Sequence, residues 1–418
     1  MKLKPVLVML VLPLAISSAY AEDIISMPTF TFSGFGTVAM TKTNTDDAEF
    51  ARPNQLRGVK TDAKNSVDSN FGFQATAKFN DWLSFTGQGL VRKNVTDDFG
   101  AELAWAFAKA KVSDNLTLRA GRIGMPVFMI SDYRNVGYTN TMIRPPIEMY
   151  TQVTLETVDG VDAVYQTSFG DTSISTQLAL GTSEYDSSGA YTAKFKNLIG
   201  IHVVAENGPF TFRFGRVDTK VTVDNSASLN AVVGGLRAYA PTPVAPGVTL
   251  DTIYGFNAAA NSIEVKNTKA SFTSVGFGLD WKNVVVQSEY GVRKSKSLAI
   301  QDTTAWYTMV GYRMGKFLPY FNHASASQDS ATGIPKFPIA GALSGLTAGA
   351  NRLVSQAPVQ TSNSIGLRWD FYKSAALKVQ LDRASFTPQT GSNGTFFNVK
   401  PGFTGPVNVF AAGIDFVF

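Results

Sequence analysis

The sequence predicts an all-β fold, a closed transmembrane barrel of eighteen antiparallel strands joined in an up-and-down meander. Three observations predict it. From residue 29 onward, apolar and polar residues alternate in segments of about ten to fourteen residues. The connections between segments alternate between short and long, and the polar face of the segments carries charges at mid-length, where a soluble sandwich would place water-facing residues over a dry core.

The chain opens with "MKLK", a basic start, then the apolar "PVLVMLVLPLAI" and the small-residue stretch "SSAYA". That order predicts a cleavable export signal over residues 1–21, leaving 22–418 as one barrel domain. Losing Lys2 and Lys4 lowers the net charge from +5 to +3. The 418 residues contain no cysteine, which excludes a disulfide-stapled fold and thiolate chemistry. Beyond the leader, no apolar run approaches the length of a spanning helix.

Both faces are readable in several segments. In "SNFGFQATAKFN", Phe71, Phe73, Ala75, Ala77 and Phe79 alternate with Gly72, Gln74, Thr76 and Lys78. "TFRFGR", "SIGLRWDFY", "ALKVQLD" and "VFAAGIDFVF" repeat the pattern at 211–216, 364–372, 376–382 and 409–418. The fourth segment sets a row of Ala104, Ala106, Ala108 and Ala110 inward, with Leu103, Trp105 and Phe107 outward.

Short connections fall at 80–81, 113–115, 170–171, 207–209, 240–247, 282–283, 314–316 and 373–374. Long ones fall at 41–68, 93–98, 124–155, 184–190, 222–228, 259–269, 294–300, 328–360 and 388–404. Eight short and nine long connections join eighteen strands; one spurious hairpin would make the count sixteen, still even. Trp82, Trp105, Tyr165, Trp281, Tyr290, Trp306 and Tyr312 gather near segment ends, as aromatic girdles at membrane interfaces do. In hydrocarbon only a closed barrel satisfies every backbone group of such strands.

The leader, the strand and turn rhythm, the long segment after the fifth strand and the terminal "IDFVF" together resemble the porins of Gram-negative outer membranes. The resemblance spans the whole mature chain. It implies an outer-membrane location reached through the periplasm, in contact with lipid and lipopolysaccharide. It also implies a homotrimer of barrels with sixteen strands, or eighteen in substrate-specific branches, passing ions and small hydrophilic solutes without a cofactor. Phe418 is similar to the terminal aromatic that family members present to the outer-membrane barrel assembly machinery.

In porins the third loop folds into the channel, and here the third long connection is 124–155. Pro126, Pro145 and Pro146 stiffen it. Asp132, Arg134, Arg144 and Glu148 are expected to set a transverse field, and Tyr133, Tyr138 and Tyr150 to offer flat amphipathic surfaces. The alternative is a loop packed over the barrel mouth or a neighbouring subunit. By strand phase, Arg92, Arg119, Arg213, Arg237, Arg293, Arg313 and Arg368 face inward as the pore wall, offset by Glu102, Asp162, Asp280, Glu289 and Asp370. The excess of arginine predicts a modest anion preference. Arg122 falls on the outward phase.

Catalysis finds little support. His202 and His323 are the only histidines, and Ser325 beside His323 is ordinary strand neighbourhood. No metal-ligand spacing or phosphate loop appears, and no basic run suits nucleic acid. The expectation is a channel, not an enzyme, with a non-conducting adhesin or structural barrel as the alternative.

Overall fold

Alternation along each strand decides what the wall of a barrel buries and what it exposes. The computed structural model describes residues 27–53, 55–95, 97–187, 190–338, 341–386 and 393–418. The expected export signal, residues 1–21, lies outside the described residues. The wall strands are β1 (Thr29–Thr43), β2 (Asn70–Lys78), β3 (Leu83–Lys93), β4 (Phe99–Lys111), β5 (Leu116–Gly124), β6 (Thr157–Phe169), β7 (Thr172–Asp186) and β8 (Thr192–Asn207). They continue as β9 (Phe210–Asp224), β10 (Thr268–Trp281), β11 (Val284–Ser295), β12 (Thr303–Tyr312), β13 (Phe317–Gln328), β14 (Gln360–Tyr372), β15 (Ala375–Ser385) and β16 (Val407–Val417). Every neighbour in sequence is an antiparallel neighbour in space, and β1 pairs with β16 from Phe35 opposite Val417 to Thr43 opposite Val409. That last pairing closes the sheet and leaves it no edge.

The structure has sixteen strands in its barrel, not the expected eighteen. The two supernumerary segments fall in the connection 225–267, where α1 (Ala227–Tyr239), a small ribbon of Pro243–Ala245 with Val248–Thr249, α2 (Leu250–Tyr254) and α3 (Phe256–Ile263) stand instead. The period explains it: Leu229, Val232, Val233, Leu236 and Ala240 are buried at helical spacing, as are Phe256, Ala259, Ala260 and Ile263. Ser226 caps the first helix by accepting from the Leu229 N–H at 3.4 Å. These helices pack with α4 (Ser344–Val354) around Phe337, Ala350 and Val354 over the long-connection end. Arg237, expected on the pore wall, therefore sits on α1, exposed and paired with Glu264 at 2.9 Å.

The outer face is apolar and bare: Phe32, Phe73, Val161, Ile199, Phe212 and Ile365 are all exposed. The opposite face buries Gln88, Asp162, Gln177, Glu289, Lys378, Gln380, Asp382 and Asp415. This inverts a soluble core, in which the apolar set would be the buried one. In the fourth strand Leu103 keeps the expected outward phase, and from Trp105 onward the expected phase is reversed. A bulge at Gln88/Gly89, opposite Leu103 and Trp105, shifts the register, so Phe107 lies opposite Thr86 and under the Arg119 guanidinium at 5.3 Å. Phe107 packs with the buried cluster, and Ala106, Ala108 and Ala110 take the outer face.

Gly121, Gly160 and Gly181 lie side by side across β5, β6 and β7. A Cβ on Gly160 would sit 2.0 Å from the Leu180 carbonyl oxygen, and one on Gly121, whose φ is +132°, 2.2 Å from that of Ala106. The backbones approach closely at this row, beside the root of the third long connection, and only glycine allows them so close.

Candidate functional site

Between β5 and β6 the chain leaves the barrel wall for residues 125–156, the third long connection. Its local structure is short: turns of 3₁₀ helix at Ser131–Tyr133 and Gly137–Thr139, then one helical turn at Ile147–Tyr150. Pro146 precedes that last turn, where a missing N–H costs nothing. Ser131 Oγ accepts from the backbone N–H groups of Val127 and Phe128 at 3.1 and 2.8 Å, which knots the first turn. A segment this irregular must find partners for its backbone elsewhere.

It finds them on the buried face of the wall. Lys378 Nζ, wholly buried on β15, donates to the carbonyls of Gly137, Asn140 and Met142 at 2.7, 2.5 and 3.2 Å, and pairs with Asp415 at 2.7 Å. Arg368 on β14 donates to the carbonyls of Tyr138 and Asn140 at 2.7 and 2.9 Å. Ser274 on β10 takes the Val127 carbonyl, and Gln380 accepts from the Ile143 N–H. On β11, Glu289 accepts from the Met129 N–H at 2.7 Å and from the phenols of Tyr150 and Tyr307. At the far end, the Tyr138 hydroxyl donates to the carbonyl of Lys373, in the two-residue turn between β14 and β15, at 2.8 Å. A segment rooted at the long-connection end thus reaches a short turn at the other.

Arg144 makes the firmest attachment. Its guanidinium meets Asp68 through two hydrogen bonds of 2.9 and 2.7 Å, Asp382 at 2.8 Å, and the Phe50 ring at 4.7 Å, with 3% of the side chain exposed. Burial opposes its charge, but Asp68 and Asp382 outweigh that and hold its pKa above the ordinary value. Burial likewise pushes Asp68 up, and Arg144 and Arg52 bring it below the usual carboxylate range. Glu148 has no such cation. Buried, with its carboxylate taking a 2.6 Å bond from Gln360, its pKa is raised, chiefly by burial.

The residues expected to set a field therefore divide. Arg144, Glu148 and Tyr150 are buried and hold the segment in place. Asp132 is exposed and meets Arg213 at 3.3 Å, and Arg134 lies over the Phe128 ring at 5.3 Å with Glu156 3.6 Å away. Tyr133 is half-buried against the apolar cluster of Met125, Phe128, Met149 and Phe272, and Tyr138 stacks under Arg368 at 5.0 Å. Glu156, which would rise by burial, is brought down to about 2 by Arg92 and Arg134.

On the wall, Arg92 bridges Glu102 at 2.7 Å and Glu156 at 3.0 Å. Arg119 meets Asp162 at 2.5 Å, and Gln177 donates to the same carboxylate at 2.6 Å. Arg368 pairs with Asp370 at 2.8 Å, while Arg313 sits one residue beyond β12 at the short-turn rim, paired with Asp280 at 2.9 Å. Among the described residues Arg293 donates to carbonyls alone, those of Gln152 and Gln301, both at 3.1 Å. Arg122 and Asp159 pair at 2.7 Å on the outward phase, half-exposed. Phe418 exchanges backbone hydrogen bonds with Gly34 at 2.9 and 3.0 Å and stacks on Phe71 and Phe416.

Sequence reasoning missed Asp68 and Glu156 as anchors because both lie just outside strands, where phase says nothing. The alternation in "ALKVQLD" puts Lys378 and Asp382 on the inner face, and strand phase puts Glu289 there, but neither pairs them with a loop more than 100 residues away.

A closed sixteen-strand meander with a bare apolar exterior, a polar inner wall and a long third connection bonded to that wall defines a class, the porin-like β-barrels. In fold the chain is similar to OmpF of Salmonella typhi, solved in complex with daunomycin, at 14% identity over 94% of this chain and 98% of that one, TM-score 0.53. It is similar too to the outer-membrane channel DcaP of Acinetobacter baumannii (10% identity, 94% and 98% covered, TM-score 0.54) and to an anion-selective porin of Comamonas acidovorans (12%, 94% and 100%, TM-score 0.50). No family model matches the sequence, and no curated protein matches it. At these identities the likeness is one of fold.

Proposed function

We propose that this chain is an outer-membrane porin, exported by its leader and assembled as a homotrimer, whose third long connection lies across the lumen and narrows it. The observation that carries this reading is the bond from Tyr138 to the Lys373 carbonyl, which ties a loop from one end of the barrel to a turn at the other. The outer face supports membrane insertion: Phe, Val, Ile and Leu side chains stand exposed all round a sheet without an edge.

On this reading the open part of the lumen runs past Asp132–Asn135 of the loop, which share a cavity with Gln88 and Arg92 of β3 and Glu102 of β4; Lys109, Arg119, Asp162 and Gln177 stand on the same inner face. A sixteen-strand barrel encloses more space than its wall side chains fill. Ions and small hydrophilic solutes pass there, and the prolines and buried ion pairs keep the eyelet stiff enough to discriminate by size. The anion preference is weak, because most of the inward arginines are matched by carboxylates; Lys109 and Arg293 are inward cations with no ion-paired acid among the described residues.

Reconstitution of the purified chain in a planar bilayer tests the reading. Discrete conductance steps in potassium chloride are expected, in threes for a trimer, with a small reversal potential of anion-selective sign across a salt gradient. A chain that inserts and stays silent overturns it.

A further inference from the structure

A cavity of about 370 Å³ lies at the long-connection end, apart from the eyelet, between residues 152–155 of the third connection, the inner wall of β8 to β11 and the start of α1. Its lining is mostly apolar, with Phe195, Val217, Leu229 and Phe272 prominent. Into this surface comes one charged side chain, that of Arg293.

Arg293 differs from the other cationic side chains of the inner wall of β9 to β14. Arg213, Arg313 and Arg368 each meet a carboxylate. Arg293 has none within ion-pair distance among the described residues; the nearby Asp302 is held by Lys294 at 3.3 Å and by the Ser295 N–H. Its Nε and Nη1 donate to the Gln301 and Gln152 carbonyls, which fix the plane of the guanidinium while adding no negative charge. Nη2 has no protein acceptor among the described residues. A largely desolvated cation with a free donor, facing an apolar cavity, is matched by an anion that brings its own apolar body.

We propose that this cavity is a binding site for an amphipathic monocarboxylate, with an aryl or short alkyl body against Phe195, Val217, Leu229 and Phe272 and its carboxylate on Arg293. The volume lies in the range of small-molecule sites, and the lining pattern, apolar walls with one placed polar group, is what such sites share. The carboxylate supplies the counter-charge that the protein leaves out, and the body displaces water from surface that gains little from it. The proposal names a solute class for the channel and rests on that reading for its role, but not for its test.

Phenylacetate is the probe, titrated calorimetrically into the refolded mature chain in detergent micelles, with empty micelles as reference. Saturable binding of one phenylacetate per chain is expected. Acetate, which has the head without the body, and phenethylammonium, which has the body with the opposite charge, are each expected to bind at least about tenfold more weakly. Arg293→Gln should cost a similar factor, and Ala193→Phe, which fills the cavity with the guanidinium untouched, should abolish binding even if Arg293→Gln does not fold. Absence of saturable binding, equal binding of phenethylammonium, or full affinity in folded Ala193→Phe overturns the site. A conducting chain that ignores phenylacetate overturns this site alone; a chain that binds it and stays silent in a bilayer overturns the channel and keeps the site.

Discussion

Replacing Arg144 with methionine tests what holds the third connection in place. The guanidinium serves two carboxylates at once, Asp68 on the first long connection and Asp382 on β15, and is itself 3% exposed. Removing one member of a buried ion pair costs about 3–5 kcal/mol, because the partner charge is left in a poor solvent. Asp68 is fully enclosed and Asp382 13% exposed, so the second carboxylate regains some hydration and the middle of that range applies, not its top. A loss of about 4 kcal/mol in the seating of the segment corresponds to roughly a thousandfold rise in the fraction unseated. Lys378 and Arg368 still grip Gly137 to Met142, so the release is local.

Hydrogen exchange followed by mass spectrometry reads that release directly. Amides of residues 143–150 should exchange about a thousandfold faster in Arg144→Met, those of 137–142 much less, and those of the barrel strands not at all. Adding Asp68→Asn and Asp382→Asn removes the stranded charges and should restore at least half of the lost protection, since the penalty lies in the charges more than in the missing bonds. Unchanged exchange at 143–150 in a folded single mutant, or a triple mutant no better protected than the single, means that the ion pairs do not seat the segment.

Four further outcomes follow from the same geometry. The chain has no cysteine, so single cysteines are clean probes: Asp132→Cys should react with a charged thiol reagent and change the conductance, while buried Glu148→Cys should not. Acid should loosen the segment. Glu156 and Asp68 have lowered pKa values, so they contribute stability that is fully present above about pH 4.5, the ordinary glutamate value, and lost as pH falls through about 2 for Glu156; open-channel noise should rise in that window. Gly160→Val puts a side chain 2.0 Å from a carbonyl oxygen, beyond the roughly 1–3 kcal/mol of ordinary overpacking, and should prevent the heat-resistant folded form on a denaturing gel. Deleting Phe418 removes both backbone bonds to Gly34 and the stack on Phe71, and should lower the yield of inserted protein in cells more than the stability of protein refolded in detergent.

Strand faces were legible because a period of two survives local noise: the sets at 71–79, 364–372 and 409–418 stand exposed or buried as their alternation requires. The strand count was not, because the stretch from 225 to 267 is half apolar at either period and lies between real strands. There the spacing of Leu229, Val232, Val233 and Leu236 was the discriminating signal, and it speaks for a helix. Phase failed in β4 for a different reason. A bulge is one extra residue, invisible in composition, and it reverses every side chain beyond it, which is how Phe107 came to face Arg119.

The candidate site shows where a count of charges stops being informative. Phase placed seven arginines on the wall as a source of anion preference, yet a charge reaches a passing ion only to the extent that no nearer charge has neutralised it. Arg92, Arg119, Arg213, Arg313 and Arg368 each have a carboxylate within 3.3 Å, and Arg237 is on a helix over the mouth. Lys378 and Arg368 turn their donors to loop carbonyls, so positive charge that reads as selectivity in the sequence works as carpentry in the fold. Selection in the proposed eyelet then comes mainly from its width, which the buried pairs of Arg144 and the Lys378 contacts hold fixed. The one inward arginine that meets neither an acid nor solvent freely, Arg293, is where a charged solute should feel the wall most strongly.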